Sequence, residues 1–461
     1  MPDEPYQPEG PTVPTPPPAA GPVWPGRWVT ERLGITLRGA ELRPLLGLAL
    51  RRNPRRAHLL VSEVLGKHVP QRPATVLGAG LDLGRRARAL LGDEQAARAV
   101  VLGYAETATG LGHAVADGLG PVPYLHSTRR PVPGVAPVGG FQEEHSHATS
   151  HLLLPEDPGL LAGDGPLVLV DDEFSTGRTV RNTIAALHAL HPRDTYLVVA
   201  LTDLRSAAHR GELDAFAAEL GTTIRVAALA TGTVELPDDV LERGRALVDG
   251  HENDDPRPVA SGSLRRVEVP WPAGLPDGGR HGFTPAHRAV LEQALPTLGG
   301  RLASAVGATA RRVLVLGCEE LMYVPLRLAL ALQDALGNGA EVRFSTTTRS
   351  PVLAVDDPGY AIRTRVTFPA HDAPADGPGP RYAYNVACGK DPDRRFDTVL
   401  LVVDSAADTP ALHAPGGLVD ALRGTTDRVL LTVVPSHVPA PRPPGPPPAH
   451  RSAPSVPSAP R

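Results

Sequence analysis

Two adjacent carboxylates, Asp171 and Asp172, close a run of four apolar residues, Leu167 to Val170. After Glu173 and Phe174 comes the turn Ser175-Thr176-Gly177-Arg178-Thr179. The apolar run reads as a strand buried on both faces. The turn opens an amphipathic helix carried by Val180, Ile184 and Leu187. A hydroxyl-rich, Gly-containing turn at a helix start suits phosphate, because the first amides of the helix carry partial positive charge. Gly177 lets the backbone approach closely, and Ser175, Thr176 and Thr179 add hydroxyl donors. Carboxylates repel phosphate, so the partner of Asp171 and Asp172 is a group with paired hydroxyls, such as a ribose. A ribose 5-phosphate fits both ends. The bland alternative is a buried strand followed by a helix that Ser175 or Thr176 caps. The agreement of pair, turn and helix in order and spacing favours the ligand. Neither a Gly-x-x-x-x-Gly-Lys-Ser/Thr phosphate loop nor the dinucleotide fingerprint occurs.

The segment Asp171 to Thr179 closely resembles the phosphoribosyl pyrophosphate (PRPP) loop of type I phosphoribosyltransferases. The resemblance implies that Asp171 and Asp172 hold the ribose 2′- and 3′-hydroxyls. It assigns the 5′-phosphate to Ser175, Thr176, Gly177, Arg178 and Thr179. Upstream, Val100 to Gly103 reads as a strand running into the small-residue turn Tyr104-Ala105-Glu106-Thr107-Ala108-Thr109-Gly110, where type I enzymes carry a pyrophosphate loop. Glu106 departs from an anion-friendly loop; it either orients a Mg²⁺ through water or caps the following helix. Tyr124 to Pro131 ends a strand in Arg129 and Arg130, which suit a departing pyrophosphate or are solvated surface. Arg129 is the better candidate. Gly139 to His151 occupies the interval of a mobile catalytic lid in that family. Its Glu143, Glu144, His145 and His147 read as lid or substrate contacts, as metal ligands, or as a solvated loop. Asn53 to Pro70 reads as an amphipathic segment with Lys67 near a helix C-terminus, there to complement the dipole or to reach a phosphate.

The elements that must position these groups alternate. Thr75 to Leu77, Ala99 to Gly103, Pro123 to His126, Leu167 to Val170 and Tyr196 to Leu201 read as strands, with helices over Leu111 to Leu119 and Val180 to Leu190. This alternation predicts an open, mostly parallel α/β sheet with ligands at the C-terminal strand ends. The expected organisation is a Pro-rich disordered tail over 1–26, a phosphoribosyltransferase domain over 27–245, a linker over 246–285, a second Rossmann-like α/β domain over 286–436, and a Pro-rich disordered tail over 437–461.

That second region echoes the first. Val313 to Glu320 parallels Val100 to Glu106, and Phe344 to Val352 parallels Leu125 to Val132. Thr398 to Ser405 parallels Leu167 to Asp172, and Arg428 to Val434 parallels Tyr196 to Leu201. A diverged duplicate of one unit follows, without the Asp-Asp pair and the hydroxyl turn, so it should not bind PRPP in the same manner. The motif Thr348-Arg349-Ser350-Pro351, joined to such a domain, resembles a bacterial family of phosphoribosyltransferase-plus-TRSP proteins associated with tellurite-resistance and stress gene clusters. Thr348, Arg349 and Ser350 are the candidate site of the second domain.

Composition sets outer bounds. Of 461 residues 41% are hydrophobic but only 4% aromatic, so the cores must be Leu, Val and Ala. The net charge of −4 argues against a general nucleic-acid or membrane-surface binder. Of 46 basic residues only Lys67 and Lys390 are lysines, which coding bias explains, and which makes Lys67 the more interesting. Two cysteines, Cys318 and Cys388, allow neither a disulfide framework nor a zinc ribbon. With no secretory signal and no apolar run of membrane-spanning length, the expectation is a cytoplasmic protein, with a homodimer allowed. The family resemblance implies a Mg²⁺-dependent transfer from PRPP to an unidentified base-like small molecule, in the biosynthesis of a nucleotide-like metabolite. The alternatives are a PRPP or nucleotide sensor without turnover, and a separate enzyme in the second domain.

Overall fold

The computed structural model describes residues 23–53, 56–142, 150–251, 262–372 and 379–440, and in it the apolar runs become two five-stranded parallel sheets. The first is built from β1 (Val100–Gly103), β2 (Tyr124–His126), β3 (Leu167–Phe174), β4 (Thr195–Asp203) and β5 (Thr223–Thr231), in the order β2-β1-β3-β4-β5. The second holds β6 (Ser263–Arg266), β7 (Arg312–Gly317), β8 (Glu341–Thr346), β9 (Thr398–Asp404) and β10 (Arg428–Val434), in the order β8-β7-β9-β10-β6. The central strands are continuous apolar runs because both faces of a parallel sheet must be covered by helices.

Four helices lie between the sheets. They are α1 (Pro73–Leu91) and α2 (Thr109–Leu119) from the first half, and α3 (Pro285–Val306) and α4 (Tyr323–Leu336) from the second. One apolar cluster joins Val101 and Val168 of the first sheet, Leu83, Val115, Leu298 and Leu328 of these helices, and Val313 and Leu400 of the second sheet. The two halves therefore share a core. Glycine permits the close approach of α1 to α2: a Cβ on Gly84 would stand 2.3 Å from the Val115 carbonyl oxygen, and one on Gly118 2.3 Å from that of Leu81. Between the halves, the Tyr323 hydroxyl donates to Asp117 at 2.6 Å. None of the described helices is long and apolar enough to cross a membrane.

Four strands of each half, β1–β4 and β7–β10, share one spatial order, second-first-third-fourth. The edge strand differs: β5 follows β4 in the chain, whereas β6 precedes β7. The diverged-duplicate expectation thus matches over four strands and departs at the fifth.

Other expectations are corrected. Thr75 to Leu77 lies inside α1, which Pro73 opens and whose Val76, Leu77, Gly80, Leu83, Gly84, Ala87 and Leu91 are buried at helical spacing. The Asn53 to Pro70 segment contains a strand, His58–Ser62, paired antiparallel with Leu46–Leu50, and Lys67 follows in a loop rather than on a helix. This hairpin is wholly buried because it packs on Val352 to Ile362 of the second half, a partner invisible locally. Within the expected 246–285 linker, β6 is the edge of the second sheet, drawn in by parallel pairing with β10. Within the expected tails, the Trp24 indole donates to the Leu46 carbonyl at 2.8 Å, and the His437 amide to Asp277 at 3.0 Å.

Candidate active site

Parallel strands end at a common edge, where loops must diverge and leave a crevice. In the first half that crevice is a cavity of about 270 Å³. Asp171 and Asp172 reach it because β3 runs on past its apolar stretch to Phe174. The Asp172 amide donates to the Asp171 carboxylate at 2.9 Å, which fixes the first carboxylate against the backbone.

The next five residues, Ser175 to Thr179, line the same cavity. Gly177 has φ of 76°, left-handed, and a Cβ there would press to 3.2 Å from the Phe174 ring. Phe174 is itself buried under the Arg205 guanidinium, 4.3 Å from its centroid. Only glycine makes this turn without strain. The helix that follows, Arg178–Leu190, has no side-chain cap at Gly177. Its first turn is therefore suited to an anion from outside.

The same cavity is lined by Ala105, Glu106 and Thr107 of the turn after β1, together with Lys67 and Arg129. The Ser127 hydroxyl accepts from the Ala105 amide at 2.9 Å and shares a 2.8 Å hydrogen bond with His151, so β2 pins this turn. Lys67 Nζ stands 3.2 Å from Glu106 and donates to the Thr107 hydroxyl at 2.8 Å. Ala108, Thr109 and Gly110 do not face the cavity. The Ala108 amide is committed to the Tyr104 carbonyl at 2.9 Å, the Tyr124 hydroxyl donates to the Thr109 carbonyl, and Gly110 abuts Met322. Thr109 and Gly110 are already the first residues of α2, whose start is turned away from the cavity lining.

Thr348, Arg349 and Ser350 also line this cavity, together with Pro351. Expected as a separate site, they instead complete the wall of the first one, because the second half packs across the strand ends. Glu143, Glu144, His145 and His147 lie outside the described residues. Arg51, Arg56, Tyr104, His151 and Glu173 join the wall without having been singled out from the sequence. Arg51 and Arg56 flank the hairpin turn, and in an Arg-rich chain an Arg pair is a weak signal. Arg56 pairs with Glu173 at 2.9 Å.

The electrostatics are mixed by design of position. Lys67 and Arg51, Arg56, Arg129, Arg178 and Arg349 bring positive charge; Glu106, Asp171, Asp172 and Glu173 bring negative charge. Burial pushes the Asp172 carboxyl up, and Glu173 adds to this against the pull of Lys67. Burial also opposes ionisation of Glu106, but Lys67, Arg349, the Thr348 hydroxyl and Arg129 outweigh it and hold that carboxyl below its ordinary range. Glu106 is thus a fixed negative charge that organises cations around it.

Residues 45–233 match the family model described as phosphoribosyl transferase. The first half is a phosphoribosyl transferase domain. Residues 277–422 match the TRSP domain that stands C-terminal to it, and the chain belongs to the family that joins the two. Among solved structures it is similar to adenine phosphoribosyl transferase from Trypanosoma brucei, in complex with AMP, pyrophosphate and ribose-5-phosphate, at 13% identity over 41% of this chain and 78% of that one, with a TM-score of 0.29. The Giardia lamblia adenine enzyme complexed with 9-deazaadenine gives 18%, 41%, 97% and 0.29 in the same order, and orotate phosphoribosyltransferase from Aeropyrum pernix 22%, 49%, 99% and 0.25. The strand order, rather than these likenesses, carries the fold. No curated protein matches the chain.

Proposed function

We propose that the chain transfers the 5-phosphoribosyl group of PRPP to a nitrogen of a small base-like acceptor, with release of pyrophosphate, in making a nucleotide-like metabolite. The observation that carries this is the convergence of the Asp171–Asp172 pair, the Ser175–Thr179 turn, Lys67 and Arg129 on one cavity. The C1–O bond to pyrophosphate breaks and a C1–N bond forms, so positive charge grows on the sugar and negative charge on the leaving group. Asp171 and Asp172 accept hydrogen bonds from the ribose hydroxyls and favour the first. Lys67, Arg129 and the Ala105–Thr107 turn favour the second. The Ser175–Thr179 turn anchors the 5′-phosphate, remote binding energy that orients C1.

Mg²⁺ fits such a site as a substrate-borne ion. Among the described residues no group of three or more His, Cys, Asp or Glu is placed to hold a metal. Mg²⁺ takes oxygen ligands, keeps several waters, and is usually bound by one or two carboxylates plus substrate phosphates. The ion would be carried mainly by PRPP itself and would neutralise charge on the pyrophosphate.

Replacing both aspartates, Asp171→Asn with Asp172→Asn, should abolish PRPP binding while the thermal transition persists. Calorimetry on the full chain checks this, and unchanged affinity would remove the assignment. Pyrophosphate release from PRPP and Mg²⁺ in fractionated metabolite extract separates an enzyme from a sensor, which binds PRPP but releases none.

A further inference from the structure

The two halves exchange loops. Glu320, in the turn after β7, accepts from the Thr128 hydroxyl at 2.6 Å and from the Arg129 amide at 2.9 Å, both in the loop after β2. Glu106, in the turn after β1, faces the loop after β8: Arg349 Nε lies 3.8 Å away, and the Thr348 hydroxyl hydrogen-bonds the carboxylate. Each loop is built alike. The Arg130 amide donates to the Thr128 hydroxyl at 3.0 Å, and the Ser350 amide to the Thr348 hydroxyl at 3.2 Å. The Thr128 amide reaches the Leu152 carbonyl, and the Thr348 amide the Tyr382 carbonyl, each at 2.9 Å. Each half therefore lays its second-strand loop across the first-strand turn of the other.

The exchange has unequal results. At the strand ends of the second half about 20 Å³ of cavity remains among the described residues. Arg130 crosses into it and meets Asp404, at the end of β9, at 3.1 Å. Arg280 lies alongside, 3.5 Å from Glu320 and 3.9 Å from Asp404. Guanidinium groups of the chain thus occupy the place a sugar phosphate would need. In the other direction, Arg349 enters the open cavity and is braced from behind. Its Nε contacts Glu319, which Arg381 also holds at 2.7 Å.

Resting on the reading of the first cavity as a PRPP site, we propose that the second half is a silent copy that binds no PRPP, and that its Arg349 supplies a ligand for the pyrophosphate portion of PRPP bound in the first. Arg349 stands on the Glu106 side of the cavity, with Lys67 and Arg129, where the leaving group lies if Asp171, Asp172 and the Ser175–Thr179 turn take the ribose and 5′-phosphate. A planar guanidinium suits a diphosphate by offering paired donors. The single chain then does with two unequal halves what a symmetric pair would do with two equal ones.

The test compares PRPP with ribose 5-phosphate, which lacks the pyrophosphate, by calorimetry on the full chain. The native chain should bind one PRPP, and a second equivalent site would overturn the silent half. Arg349→Ala should weaken PRPP at least tenfold and leave ribose 5-phosphate within twofold. Should that variant not fold, Arg349→Lys should weaken PRPP at least threefold with the same selectivity. Equal loss of both ligands, or loss of neither, overturns the role of Arg349. That failure is distinct from failure of the site reading, in which the Asp171→Asn, Asp172→Asn chain keeps its PRPP affinity.

Discussion

The two strand-end crevices of this molecule share a scaffold and differ in what fills them. In the first, a glycine turn and two carboxylates border an open cavity of about 270 Å³. In the second, Asp404, Glu320 and Asp277 meet Arg130 and Arg280, and about 20 Å³ is left. A ligand site and a buried ion network are alternative uses of the same position. Charges gathered at strand ends need partners once desolvated, and those partners come either from a substrate or from the chain itself. Where the chain supplies them, the crevice closes.

The sharpest break in this comparison comes from equivalent aspartates. Asp171→Asn with Asp172→Asn should remove PRPP binding outright, while Asp404→Asn, at the end of the corresponding strand, should leave PRPP affinity within about threefold. Equal loss from both, measured by calorimetry, would contradict the division of roles. Next in size is Arg130→Ala. It takes the nearer guanidinium from Asp404, whose side chain is 3% exposed, and leaves Arg280 at 3.9 Å. Removing one member of a buried pair costs roughly 3 kcal/mol, so chemical denaturation should show a loss of that order. A change below about 1 kcal/mol would mean that Arg280 alone satisfies the network.

Acid should separate the two crevices more gently. Burial raises the Asp172 carboxyl, so it takes up a proton at a higher pH than an ordinary aspartate, and sugar binding should weaken first. Glu320 moves the opposite way: burial opposes its ionisation, but Arg280, His126, the Thr128 hydroxyl and the Arg129 amide hold it at about 2, against 4.5 for an ordinary glutamate. A depressed carboxyl contributes stability above its unfolded value and loses it as pH falls through the folded one. Its contribution to the junction should therefore persist to pH 4.5 and disappear toward pH 2. PRPP titrations and thermal melts across pH 7 to 3 should show affinity failing before stability; the reverse order would contradict the assignment.

Much of the first crevice was legible because its chemistry is local. Asp171, Asp172 and the Ser175–Thr179 turn are contiguous, and Gly177 signals the left-handed turn that the structure requires. Lys67 stands out in the sequence as one of two lysines, but the segment before it forms a buried hairpin rather than a helix, because what covers that hairpin comes from Val352 to Ile362. The repeated strand pattern announced a duplicate, yet the parallel pairing that adds β6 to the second sheet left no mark in a polar four-residue segment. Ala108 to Gly110 looked like free amides because a helix start and an anion loop are written with the same small residues.

The sequence by itself determined the central strands of the two sheets, the turn after Phe174 and the residue types along it, since these depend on neighbours a few residues apart. Only the tertiary structure decided that Thr348, Arg349 and Ser350 belong to the first cavity, and that Arg130 seals the second. Such assignments depend on how two helical layers pack, and packing joins residues 192 to 274 positions apart whose spacing carries no trace of their meeting.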